Sequence, residues 1–188
     1  LKVLSSSCYQ MLRNIYNISD TARLQTGELK ETRVDLSVLL GDLCASARML
    51  IKNTGAVLTD KIELQPAFTC LDAERFVAAV INLIDNALLY CTDKSHILVR
   101  GYRSGEEYVV SVSDKGVGIP PQLRGKAMDL FTTCDTRGDG VQRLGLGLCV
   151  ARAFIRAYGG TYLISSEEDG GTTILMRLPL RDDPEIPL

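Results

Sequence analysis

The sequence has a single histidine, His96, no Cys-x-x-Cys pair and no Gly-x-x-x-x-Gly-Lys-Ser/Thr loop. Each absence closes a route. Its six cysteines, Cys8, Cys44, Cys70, Cys91, Cys134 and Cys149, are widely scattered. His96 completes no cluster with any of them, so local spacing offers no zinc site, and free thiols in a reducing compartment are the better reading. A nucleotide site in this chain would have to work without a P-loop. There is also no charge excess: the formal net charge is −2, which leaves no electrostatic footprint for nucleic acid. No apolar run reaches the roughly 18 residues of a membrane span, and no signal peptide is present. Repeats and low-complexity segments are absent. The first residue is Leu1 rather than Met, so the chain reads as a piece of a longer protein, and a membrane segment elsewhere in that parent stays open.

What is present is an ordinary globular mix, 46% hydrophobic and 23% charged, in 188 residues. That length suits one substantial domain plus an appendage. The appendage comes first. Leu4, Cys8, Met11, Ile15, Ile18 and Ala22 follow the alternating spacing of a helical seam, and Gly27 supplies a stop. Spacing alone leaves two readings for this helix: a partner in a bundle or coiled coil, or a face lying on its own domain.

From residue 30 onward the pattern changes. A strand is expected at 31–35. Asp35 then caps a helix with Leu36, Leu39, Leu40, Leu43, Ala47 and Leu50 on one face, ended by a turn at Asn53-Thr54-Gly55. After some strand-like pieces Asp72 caps a long helix to about Tyr90. Ile97–Val99 and Tyr108–Val112 read as strands joined at Ser104-Gly105. Residues 114–145 are rich in glycine, proline, threonine and charge, and are too long for an ordinary connection. A helix from Leu146 to Tyr158 stops at Gly159-Gly160, and a hairpin of 161–166 and 172–178 closes the chain at Asp169-Gly170-Gly171. Antiparallel strands with three amphipathic helices predict an α+β fold, a two-layer sandwich with the helices on one face of a mixed, mostly antiparallel sheet.

Three segments carry chemistry. At about 100° per residue, Phe76, Val80, Leu83, Ile84, Ala87 and Cys91 share the core face of the long helix, while Asn82, Asp85, Asn86 and Leu89 share the opposite arc. Asn82 and Asn86 stack one turn apart. That arc is either a solvated face or a place where an amide oxygen meets a magnesium ion carrying phosphates. Second, Asp114-Lys115-Gly116-Val117-Gly118 follows a strand directly. A carboxylate at a strand end accepts a hydrogen bond from an adenine amino group and repels the carbonyl that guanine presents there. The two glycines allow close backbone approach to a base or sugar, or simply make a turn. Third, Gly145-Leu146-Gly147-Leu148 opens a helix, whose free N–H groups favour a polyphosphate. The plainer reading is a small-residue turn.

In this order the segments become recognisable. The chain resembles the catalytic, ATP-binding part of a bacterial sensor histidine kinase, in the GHKL ATPase superfamily. Asn82-Leu83-Ile84-Asp85-Asn86-Ala87 is similar to the N box, Asp114-x-Gly116-x-Gly118 to the G1 box, Phe131 to the F-box phenylalanine, Gly145-Leu146-Gly147-Leu148 to the G2 box, and Gly171-Thr172 to the last glycine-threonine element, near adenine. Ala22–Gly27, followed by Val34-Asp35-Leu36, resembles the end of a dimerisation helix and the start of the ATP domain. The implied organisation is a helical segment 1–29, an ATP-binding domain 30–182 and a tail 183–188.

The resemblance implies roles. Asn86 holds magnesium. Asn82 stands where hydrolysing relatives carry a glutamate base, and an amide takes no proton from water, which suits transfer to a protein. Tyr90 packs beside the nucleotide, and 119–144 forms an ATP lid. The γ-phosphate of ATP goes to a histidine upstream of this chain, His96 being a surface residue. In the parent, the N-terminal helix forms a homodimer and a response regulator receives the phosphate. The domain is expected in the cytoplasm, and membrane anchoring of the parent stays open. Two departures stand out: Leu89 replaces the family's usual lysine, and Arg143-Leu144 precede Gly145 where a glycine is usual two residues before it. Arg143, Arg137 or Lys126 would then supply the missing cation. The alternative is a degenerate nucleotide-binding or scaffold module. An anti-sigma-type serine kinase fits less well, because those relatives lack the dimerisation stalk that 4–22 resembles.

Overall fold

The computed structural model describes residues 30–51, 55–90, 96–119, 146–167 and 170–181. The expected seam helix at 4–22 with its stop at Gly27, the turn residues Asn53 and Thr54, Cys91, residues 120–144 of the expected lid, Gly145 and the tail lie outside them.

Asp35 ends β1 (Thr32–Asp35) and starts α1 (Leu36–Ile51). Its Oδ1 accepts from the Ser37 N–H at 3.0 Å, the Ser37 hydroxyl at 2.6 Å and the Ala67 N–H at 3.1 Å, so it is the N-cap its sequence position predicts. Burial pushes this carboxyl up. The bonds from the Ser37 hydroxyl and from the backbone of Ala67, Ser37 and Val38 outweigh burial and hold it below the ordinary value. The inner face of α1 buries Leu36, Leu40, Leu43, Cys44, Ala47 and Ile51. Leu50, expected on that face, is 80% exposed. At about 100° per residue the buried arc centres near Leu40 and Ile51, and Leu50 falls at its edge in the last turn.

α2 (Ala73–Tyr90) starts at Asp72, whose Oδ1 accepts from the Arg75 N–H at 3.2 Å. Phe76, Val80, Leu83, Ile84 and Ala87 are buried as predicted. α3 (Leu146–Ala157) lies beside it. The Phe76 and Phe154 rings meet edge-on with centroids 6.1 Å apart, and the Tyr158 hydroxyl accepts from the Asp72 N–H at 2.9 Å. The end of α3 therefore sits at the start of α2. The two helices run antiparallel, which directs the first turn of α3 toward the asparagine-bearing half of α2.

The strands β2 (Val57–Ile62), β4 (His96–Ser104), β5 (Glu107–Ser113), β6 (Thr161–Glu167) and β7 (Gly171–Pro179) form one sheet in the order β2-β4-β5-β7-β6. Only β2 and β4 are parallel. A separate antiparallel ribbon joins β1 to β3 (Phe68–Leu71), with Thr32 opposite Leu71. Tyr108, Val110 and Val112 on β5 and Ile174, Met176 and Leu178 on β7 alternate toward the helices and complete one core. The result is the expected two-layer α+β sandwich. Cys44, Cys70 and Cys149 are buried and unbridged. No helix among the described residues is long and apolar enough to cross a membrane.

Candidate nucleotide site

Register places Asp114 at the end of β5, opposite Thr172 near the start of β7. The Asp114 N–H donates to the Thr172 carbonyl at 2.8 Å, and the Thr172 N–H returns a bond to Asp114 Oδ1 at 3.3 Å. The Gly116 N–H also donates to Oδ1, at 2.8 Å. Both bonds fall on the same oxygen, and no donor among the described residues meets Oδ2. Burial raises this carboxyl's pKa and the two backbone bonds offset that only in part, so the net shift is upward.

The glycines around Asp114 have reasons within the fold itself. A Cβ on Gly116 would collide with the Tyr90 carbonyl and lie 2.9 Å from Asp114 Oδ1. The close approach that needs glycine here is to the end of α2, and the next N–H, of Val117, donates to the same Tyr90 carbonyl at 3.3 Å. Gly118 makes a left-handed turn, φ +73°. Gly171 combines both demands: its φ is +84°, and a Cβ would strike the Asp114 carbonyl. The hairpin tip thus presses directly on the loop after β5.

The amide face of α2 is not solvated. Asn82 is 3% exposed and its Nδ2 donates to the Ala78 carbonyl at 3.0 Å. Asp85, Asn86, Leu89 and Tyr90 are half-buried. The Nδ2 of Asn86 is fully buried and meets no partner among the described residues. A buried amide left without a partner costs about 1–3 kcal/mol, and on this face a ligand could bring the missing acceptor. In the first turn of α3 Gly147 is buried and Leu148 packs against the core, while Leu146 opens the helix. Phe131, Arg143, Gly145, Lys126 and Arg137 lie outside the described residues. His96 opens β4, exposed, opposite Val57.

One contributor was not singled out by residue type. Ser166 on β6 is 6% exposed and joins Ile119, Gly171 and Thr172. One serine in an alternating strand carries no signal of its own. Gly171 did carry one, the Gly-Gly of the hairpin, but its contact with Asp114 depends on the β5–β7 register.

A family model for histidine kinase-, DNA gyrase B- and HSP90-like ATPases matches residues 71–182, more than half of the chain. The chain belongs to this family. Its ATPase domain is similar to the sensor protein KdpD of Escherichia coli, 27% identical over 93% of this chain and 19% of that protein. It is also similar to the sensor histidine kinase WalK of Bacillus subtilis, 33% identical over 61% of this chain and 19% of that protein. Among solved structures, the histidine kinase AdeS of Acinetobacter baumannii superposes with a TM-score of 0.74 at 17% identity, covering 96% of this chain and 84% of that one. Full-length ShkA, solved with AMPPNP, gives 0.76 at 21% identity, over 90% of this chain and 36% of that one. By these matches the ATPase domain is of the ATP-binding catalytic kind found in sensor histidine kinases. It spans only a fraction of the relatives' length.

Proposed function

We propose that this chain is the phosphoryl-donor part of a sensor histidine kinase, binding magnesium-ATP and passing the γ-phosphate to a histidine carried outside these 188 residues. The observation that carries the reading is the state of Asp114. Two backbone N–H groups fix its Oδ1, and Oδ2 is left to accept from a base amino group. Asn86 is the residue that fits a magnesium-phosphate group, its orphaned Nδ2 suited to donate to a phosphate oxygen and its Oδ1 to meet magnesium, and Thr172 stands beside Asp114. No group of three or more His, Cys, Asp or Glu side chains gathers among the described residues. A magnesium ion here would take most of its ligands from phosphate oxygens, which suits an amide as the single protein ligand. Bound magnesium neutralises charge developing on the phosphates; the chain's own part is positioning and exclusion of water. Asn82, an amide already bonded to its own helix, abstracts no proton from water and so favours transfer over hydrolysis.

In the parent, the reading adds a homodimer through the helix at 4–22, a response regulator as phosphate receiver, and a cytoplasmic position. One observation favours a second reading. Leu89 lies half-buried on the amide face, so no cation stands there, as in a nucleotide-binding module without kinase activity.

Titration of magnesium-ATP into the chain, followed by mixing with a polypeptide bearing the acceptor histidine, separates the readings. Binding with acid-labile label on the acceptor is expected. Binding without label favours the second reading, and no binding removes both.

A further inference from the structure

Ser166 makes three hydrogen bonds with one proton. The Ile119 N–H donates to its Oγ at 2.7 Å, Oγ donates to the Gly171 carbonyl at 2.9 Å, and Oγ lies 2.9 Å from Thr172 Oγ1. A hydroxyl has one donor and two acceptor positions. Once Ser166 spends its proton on Gly171, the Thr172 bond must run the other way, with the Thr172 hydroxyl donating to Ser166. Thr172 then has only lone pairs left to offer. Its neighbour is Asp114, whose carboxylate is likewise an acceptor. The Thr172 N–H, which might have faced the ligand as a donor, is already committed to Asp114 Oδ1.

We infer that Ser166 is a specificity-determining positioning residue: by taking the Thr172 proton it makes this end of the pocket acceptor-only, and so selects a purine edge that carries an amino group over one that carries a carbonyl. The inference rests on the nucleotide reading above. Ser166 touches no ligand and acts through Thr172. A second effect comes from the same oxygen. By holding the Ile119 N–H, Ser166 fixes the far end of the loop that starts at Asp114, so both acceptors are set by one buried hydroxyl. Without it, the Thr172 hydroxyl is free to rotate and donate, and a carbonyl becomes tolerable.

The test compares ATP with inosine triphosphate, which replaces the amino group at carbon 6 by a carbonyl. In the 188-residue chain, Ser166→Ala should lower the ATP-over-ITP preference about tenfold, the size of one hydrogen bond gained by the wrong base. Ser166→Thr, which keeps the hydroxyl, should restore most of it. Thr172→Val, which removes the relayed acceptor, should also narrow the preference. A merely structural serine would lower both affinities together, and an unchanged ratio in Ser166→Ala overturns the inference alone. Amide exchange at Ile119, measured without nucleotide, gives an independent reading. Protection is expected in the wild type and in Ser166→Thr and should be lost in Ser166→Ala; equal protection in all three would overturn the hydrogen-bond chain itself. If the wild type binds neither nucleotide, the nucleotide reading falls and takes this inference with it.

Discussion

Two aspartates stand at opposite ends of the helical layer, and their surroundings differ in one respect. Asp72, at the start of α2, is fully employed. Its Oδ1 accepts from the Arg75 N–H, its Oδ2 pairs with the Arg75 guanidinium at 3.3 Å and accepts from the Lys30 N–H at 3.2 Å, and both side chains of the pair are buried. Its own N–H goes to Tyr158. Asp114, at the end of β5, has one oxygen accepting two N–H bonds and one that meets no donor or cation among the described residues, and its pKa is raised. A carboxylate that serves only the fold is satisfied by the fold. One that is half buried and only half satisfied is a candidate for binding something from outside the fold.

Substitution should expose this contrast most strongly at Asp72. Asp72→Ala removes a buried carboxylate that bonds the Arg75 guanidinium and caps the helix, and should cost about 3 kcal/mol of stability in chemical denaturation. A loss under about 1 kcal/mol would mean that the pair is solvated and the contrast is false. Asp114→Ala should act on binding instead. ATP affinity should fall by about 1–3 kcal/mol by calorimetry, with a much smaller change in the unfolding midpoint than for Asp72→Ala. Equal affinity of the wild type for ATP and GTP would remove the role given to Oδ2.

An unmet group need not be functional, and Tyr108 supplies the control. Its hydroxyl is buried in the core and meets no partner among the described residues, and burial pushes its pKa up. Tyr108→Phe should raise stability by about 1 kcal/mol and leave ATP affinity unchanged. Should affinity fall, orphaned groups would not distinguish site from core. The smallest effects are in pH dependence, and they have opposite signs. Asp35 has a lowered pKa, so its stabilisation is present above 3.8 and is lost as pH falls through the folded value. Asp114 has a raised pKa, so its relative stabilisation is present below 3.8 and is lost as pH rises through the folded value. Asp35→Asn should flatten the acid limb of the stability curve, and Asp114→Asn should remove the decline on the other side. Denaturation midpoints followed from mildly acidic pH down to well below 3.8 would show both.

Both carboxylate caps were legible in the sequence, because Asp35 and Asp72 precede amphipathic helices and capping is local. So were the strands of the two hairpins, since alternation and glycine turns are local too. Asn82 and Asn86 were correctly found together, but that their arc is buried follows from what covers α2, and helical periodicity says only which residues share a side. The purpose of Gly116 was also hidden: it makes room for the Tyr90 carbonyl, a contact across 26 positions of sequence fixed by tertiary packing. Ser166 depends on three partners from two other segments and has no local pattern at all.

The strand order has a consequence for how the chain is made. β7 follows the other described strands in sequence, yet it sits between β5 and β6, and the residues just beyond it bond back to β3, where the Cys70 N–H donates to the Arg181 carbonyl and the Arg181 N–H donates to Thr69 Oγ1. Until β7 emerges, β5 keeps one open edge and the Asp114 loop has no Thr172 to close against. The strand that seals the sheet therefore also completes the candidate site, and synthesis as far as β6 yields no partly formed one.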